Sequence, residues 1–307
     1  MRKRGIFHNG GRYLNKKFVF TLIIILIASI LPIILLKETM GYIPVWVSFI
    51  QLFLLMVGCL FCFFVEEFKP FLKFAIILVT IILGELIIKT IPKASFWVSL
   101  FEGDSFIDHF GSSILLKLIM VIPVIFVLLL LLKTREAAYL TKGNLSVKAS
   151  KIGFLGIKGN RISWGKLSII SGFLIAFGTL LLTLFTVTGF SVPSGLDQLI
   201  VFFPVIILLA LANSFCEGVI YRSAILGTLK EALPKNSVVL IAALFFGIAH
   251  YYGAPSGIVG VFMSGLLGWY LCRSMYETKG FAAAWFIHFM QDVVIFSTIY
   301  LLFGYTN

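Results

Sequence analysis

The sequence predicts an all-α, polytopic transmembrane helical bundle of about eight to nine spans, and three observations carry that expectation. The 307 residues are 60% hydrophobic and only 12% charged, with a mean hydropathy of +1.07, whereas a soluble domain is about a quarter charged. The apolar residues form continuous runs, not the strict alternation of a membrane β-barrel. Finally, Lys and Arg fall between the runs with a one-sided bias, the signature of a chain threaded through a bilayer.

In chain order the apolar runs place spans at Phe18–Leu36, Val45–Val65, Phe74–Ile88, Ile114–Leu132, Leu167–Phe190, Leu199–Glu217, Val238–His250, Ile258–Leu271 and Phe281–Phe303. Several fall short of the roughly 20 residues of a full crossing. With the N-terminus in the cytoplasm, 21 of the 25 Lys and Arg residues fall in inside segments, against three outside (Lys37, Lys89, Lys93) and one, Lys117, within a span. This asymmetry accounts for the net charge of +12 as topology and argues against nucleic acid as a partner; the partner implied is the lipid bilayer. The basic N-terminus followed by an apolar run mimics a secretory signal, but the run is long and no small-x-small site follows it, so it is expected to be an uncleaved first span. The basic arm suits contact with anionic lipid. The Lys-, Ile- and Phe-rich usage with compact termini reads as bacterial, and the location as the cell (plasma) membrane, multi-pass.

Three regions follow: an N-terminal four-span unit (1–140), a basic cytoplasmic connector (141–166) and a C-terminal bundle (167–307). The outer loop Lys89–Ser113 is expected to hold a short interfacial helix. No internal repeat emerges, which disfavours an inverted-repeat transporter. Cys59 and Cys62 have CxxC spacing inside an apolar helix, where packing is the expected role, and neither a disulfide nor a structural zinc is inferred from the four cysteines.

Five acids and histidines lie inside apolar runs: Glu85, Glu217, His250, His288 and Asp292. Charge in hydrocarbon is costly, so each needs a partner or a function. Glu85 precedes Lys89 by four residues, and an i,i+4 pair reaching toward the interface is the expected arrangement. The other four lie in the last third of the chain and are expected to converge. Glu217 precedes Arg222 by five residues, about 140° around a helix, so these two need not pair directly. Arg222 is expected near the cytoplasmic interface, snorkelling or bracing a neighbouring helix. Phe246 and His250 share the seventh span. His288 and Asp292, four apart, share a helix face, so the acid can fix the tautomer of the ring and leave the other nitrogen for chemistry. Two acids and two histidines suit general-base activation of water. The spans place Glu217 at the end of an inward helix and His250 about 20 Å along the next, deeper than the others.

Glu217…Arg222, Phe246-x-x-x-His250 and His288-x-x-x-Asp292 resemble, in order, the EExxxR, FxxxH and HxxxN/D motifs of the CPBP family, the CAAX-protease and bacteriocin-processing (Abi) intramembrane proteases. The resemblance covers about Leu199–Phe303. It implies a CAAX-protease-like core and an intramembrane endopeptidase acting on a membrane-associated or lipidated peptide or protein. Glu217 would activate water with His250, while His288 and Asp292 stabilise the oxyanion; Arg222 and Phe246 are supporting residues. No cofactor is favoured; zinc, on Glu217, His250 and His288, is the metal alternative, although no HExxH occurs. Two positions depart from the motifs or vary within them. Gly218 stands where the family has a second Glu. At 292 the chain has Asp, and an ionised Asp cannot donate to an oxyanion: either Asp292 is protonated, or it only orients His288, whose charged form is then the donor. Two other readings compete: a non-catalytic scaffold or bacteriocin-immunity protein that keeps the fold, and a proton-coupled transporter.

Overall fold

The structure, a computed structural model, describes residues 16–188 and 195–303. The basic arm ahead of Lys16 and the end of the fifth expected span lie outside them. Within them the chain is helical and has no strand, only two isolated bridges in the connector. Seven helices are long and apolar enough to cross a membrane, and a bent helix pair adds an eighth. The protein is therefore a polytopic, all-α membrane bundle.

The first expected span is broken. α1 (Lys16–Ala28) and α2 (Leu31–Met40) meet at a 56° bend. Pro32, at the start of α2, has no N–H to continue the ladder, and the Leu31 amide turns to Ser29 Oγ (3.1 Å). The carbonyls this frees are satisfied from the next helix, α3 (Val47–Phe64): Gln51 Nε2 donates to Ile27 O (2.7 Å) and Ser29 O (2.9 Å). In a medium without water such groups must find internal partners.

α4 (Leu72–Ile88), the short α5 (Ser95–Leu100) and α6 (Ser112–Leu132) complete the first half; α5 is the short helix expected in the outer loop. Glu85 and Lys89 do not close to salt-bridge distance: Lys89 Nζ reaches Ser48 Oγ on α3 (3.3 Å).

The second half comprises α7 (Trp164–Thr183), α8 (Leu196–Gly218), α9 (Ala224–Leu229), α10 (Lys235–Ala249), α11 (Gly257–Thr278) and α12 (Ala282–Phe303). α8 does not stop at Glu217 as the hydropathy suggested. It runs on through a π-helical turn, Val219–Ser223, into α9, giving one 34-residue span from Leu196 to Leu229. Glu217 thus lies about 18 Å from that span's end at 1.5 Å per residue, not at the end. π turns of this kind often mark functional sites.

Helix contacts rest on small residues and on polar pins, as expected where lipid removes the hydrophobic drive for association. A Cβ on Gly247 of α10 would lie 2.6 Å from Val261 O of α11, and one on Gly172 of α7 would press on Phe286 and Met290 of α12. The connector docks by its backbone: the amides of Phe281 and Asn144 bond Thr141 O (2.7 Å) and Thr278 O (2.8 Å), and Gly143 and Gly280 touch so closely that neither has room for a Cβ. Glu277 then clamps connector to helices, accepting from the Ser150 amide and hydroxyl, Trp164 Nε1 (2.8 Å), Lys235 Nζ (2.7 Å) and Arg273 Nε (3.1 Å).

Candidate active site

Three helices converge inside the bundle. α8 supplies Asn213, Ser214 and Glu217, its π turn Arg222, α10 Phe246 and His250, and α12 His288 and Asp292. All four acid and histidine residues expected to converge do so. Glu217 Oε2 lies 3.6 Å from His288 Nε2 and 3.8 Å from His250 Nε2, and His288 Nε2 lies 3.5 Å from Asp292 Oδ1. The depth mismatch expected for His250 disappears, because α8 continues past Glu217 while His250 sits at the very end of the 15-residue α10.

The hydrogen bonds at the outer ring nitrogens fix where each of the two histidines carries a proton. Arg222 Nη2 lies 3.0 Å from His288 Nδ1. A guanidinium can only donate, so Nδ1 is the acceptor and the ring proton sits on Nε2. His250 Nδ1 lies 2.8 Å from Phe246 O; a carbonyl can only accept, so Nδ1 of His250 carries a proton, and its Nε2 faces Glu217. Around one carboxylate oxygen the site thus sets the Nε2–H donor of His288 and Nε2 of His250. This corrects two expectations. Asp292 does not leave the second nitrogen of His288 for chemistry, since Arg222 holds it, and His288 is not the charged donor.

Arg222 is fully buried, away from the interface where snorkelling was expected. Besides His288, its Nη2 lies 3.4 Å from Ser214 O, and the guanidinium stands 5.3 Å from the Phe246 ring centroid, within cation–π range. Its Nε and Nη1 are buried with no hydrogen-bond partner among the described residues. The Gly218 departure explains this. Position 218 lies four residues before Arg222, and a Cβ there would lie 3.2 Å from Arg222 Nη2 but 2.3 Å from Phe281 Cζ. The Phe281 ring, packed on Phe215 and Trp285, fills the place of a second acid.

Lys117 joins the cluster through Glu217 and Asn213. Lys117 of α6 donates to Glu217 Oε1 (2.7 Å) and to Asn213 Oδ1 (2.6 Å), and Asn213 Nδ2 donates to Asp292 Oδ2 (3.0 Å). Both were legible in part: Lys117 is the lone cation of a 21-residue apolar helix, and Asn213 precedes Glu217 by one helical turn.

The cluster is sealed on one side and open on the other. The side chains of His288 and Asp292 are 3% and 5% exposed, those of His250 and Lys117 30% and 34%. The donor set does not fit a zinc. Among the described residues no group of three or more His, Cys, Asp or Glu is placed to hold a metal, and the Lys117 ammonium sits on Oε1 of Glu217, inside the same cluster.

Fold and site together define a membrane-embedded bundle with a buried acid–histidine centre. Residues 199–294 match the family model of type II CAAX prenyl endopeptidases, Rce1-like, the CAAX-protease family whose motifs the sequence resembles, and all three motifs fall inside the match. No curated protein and no solved structure matched the chain.

Proposed function

We propose that this protein is an intramembrane endopeptidase that hydrolyses a peptide bond of a membrane-associated or lipidated peptide by metal-free activation of water. The observation that carries this is the pairing of Glu217 Oε2, buried and without a hydrogen-bond partner, with two imidazole Nε2 atoms at 3.6 and 3.8 Å. These separations are too long for direct hydrogen bonds and suit groups that share a small third partner. A water donating to Glu217 Oε2 and to His250 Nε2 is turned with its lone pair free for attack. Its oxygen adds to the scissile carbonyl, a proton passes to Glu217, and the oxyanion forms against His288 Nε2–H. Collapse breaks the C–N bond, and Glu217 returns the proton to the leaving amine. Asp292, held by Asn213, needs no donor role in this scheme; it lies beside Nε2 of His288 and orients it.

The matched family acts on prenylated CAAX substrates by its name, and the open His250–Lys117 side gives a membrane-embedded peptide its approach. The positive-inside bias supports an N-terminus in the cytoplasm and a location in the cell membrane, with residues 167–307 as the catalytic bundle.

A second reading, a scaffold or immunity protein that keeps the fold, is favoured by one observation: Phe281 fills the place of the second acid. The deciding experiment compares wild-type and Glu217→Gln cells, at matched expression, by mass spectrometry of membrane and secreted peptides. Cleavage products that vanish with Glu217→Gln and also with His250→Ala are expected. Identical peptide profiles together with an intact wild-type phenotype would sink the protease and leave the scaffold.

A further inference from the structure

Lys117 lies outside the segment that matches the family, on a helix of the N-terminal half, yet its ammonium is bonded to the central carboxylate. It stands ten residues into the continuous helical span that begins at Ile107. A long lysine side chain can snorkel toward an interface. Instead its Nζ turns inward to Glu217 Oε1 and Asn213 Oδ1. Asn213 accepts from Lys117 and donates to Asp292, so one cation holds both acids of the site across α6, α8 and α12.

We propose that Lys117 is a positioning residue for the proposed hydrolysis: by holding Oε1 of Glu217 it leaves Oε2 as the single oxygen facing His250, His288 and the substrate. The inference rests on the protease reading. A carboxylate at mid-membrane with both oxygens free can rotate, and either rotation takes the base off the line between the two imidazoles. With Oε1 bonded at 2.7 Å the rotation is blocked. Arg222 is committed to His288, so Lys117 is the cation that compensates Glu217.

The test uses the full chain in proteoliposomes with an internally quenched farnesylated peptide ending in a CAAX tetrapeptide. Lys117→Met is expected to lower kcat by about 10²-fold, the cost of a misplaced base, with KM changed by less than about threefold. Lys117→Arg, which keeps the charge and the donors, is expected to recover most of the loss. A Lys117→Met enzyme with wild-type kcat overturns the proposal, as does a Lys117→Arg enzyme that melts like wild type but is no better than Lys117→Met. If Glu217→Gln is dead while Lys117→Met is normal, only the role of Lys117 fails; if Glu217→Gln cleaves normally, the protease reading fails and this inference with it. Melting reads the pairing without any substrate. Lys117→Met should lower Tm by several degrees, and adding Glu217→Gln should restore it, since the uncompensated carboxylate is gone; additive losses overturn the pairing.

Discussion

At the scale of single residues, the site is a problem of donors and acceptors. Lys117 and Arg222 can only donate, and the Phe246 carbonyl can only accept, so their neighbours have no choice of role. That chain of constraints yields a prediction about protons. In ¹⁵N spectra of labelled protein, His288 should show the Nε2–H tautomer and His250 a proton on Nδ1. Arg222→Met should release His288 into a mixture while His250 keeps its own. A wild-type His288 protonated at Nδ1 would contradict the site as described. The same reasoning explains why Gly218 is tolerated: Arg222 finds His288, Ser214 O and the Phe246 ring in place of a carboxylate.

Elements are shaped by where their backbone groups find partners. The α1–α2 bend exists because Pro32 interrupts the ladder, and it persists because Gln51 covers the exposed carbonyls. Gln51→Leu is close in size but removes both donors, and each unsatisfied carbonyl costs about 1–3 kcal/mol. Its Tm in detergent should fall well below wild type, whereas Gln51→Glu, once protonated, should recover part of the loss through its single O–H. An unchanged Tm for Gln51→Leu would mean that the carbonyls are satisfied in another way. The π turn at Val219–Ser223 belongs to this scale too: it carries Arg222 to His288 just beyond Glu217, which pairs with Lys117.

Over the whole molecule, one carboxylate ties the connector to the helices. Glu277, at the C-terminal end of α11, receives five hydrogen bonds from four residues in the connector, α7, α10 and α11 itself. Its side chain is only 8% exposed. Glu277→Ala would strand the Trp164 indole and the Ser150 amide and leave Lys235 and Arg273 unpaired. Breaking such a buried ionic cluster costs about 3 kcal/mol or more. The expected readout is a large drop in Tm together with rapid trypsin cleavage after connector lysines such as Lys151. Wild-type resistance to trypsin would show that the backbone docking at Gly143 and Gly280 suffices.

Composition and the apolar runs determined the fold class, because a lipid environment leaves little choice beyond a helical bundle once alternation is absent. They also singled out Glu217, His250, His288 and Asp292, since intramembrane charge stands out against an apolar background. What hydropathy could not place was any feature that depends on a partner from another helix. The extension of α8 through its π turn, the break rescued by Gln51, the reach of Lys89 to Ser48 and the inward turn of Lys117 are decided by neighbours distant in sequence. The protonation pattern of the two histidines was likewise hidden until tertiary packing set Arg222 against one ring and the Phe246 carbonyl against the other. Sequence lists which groups must be satisfied; only the packed bundle determines which group satisfies which.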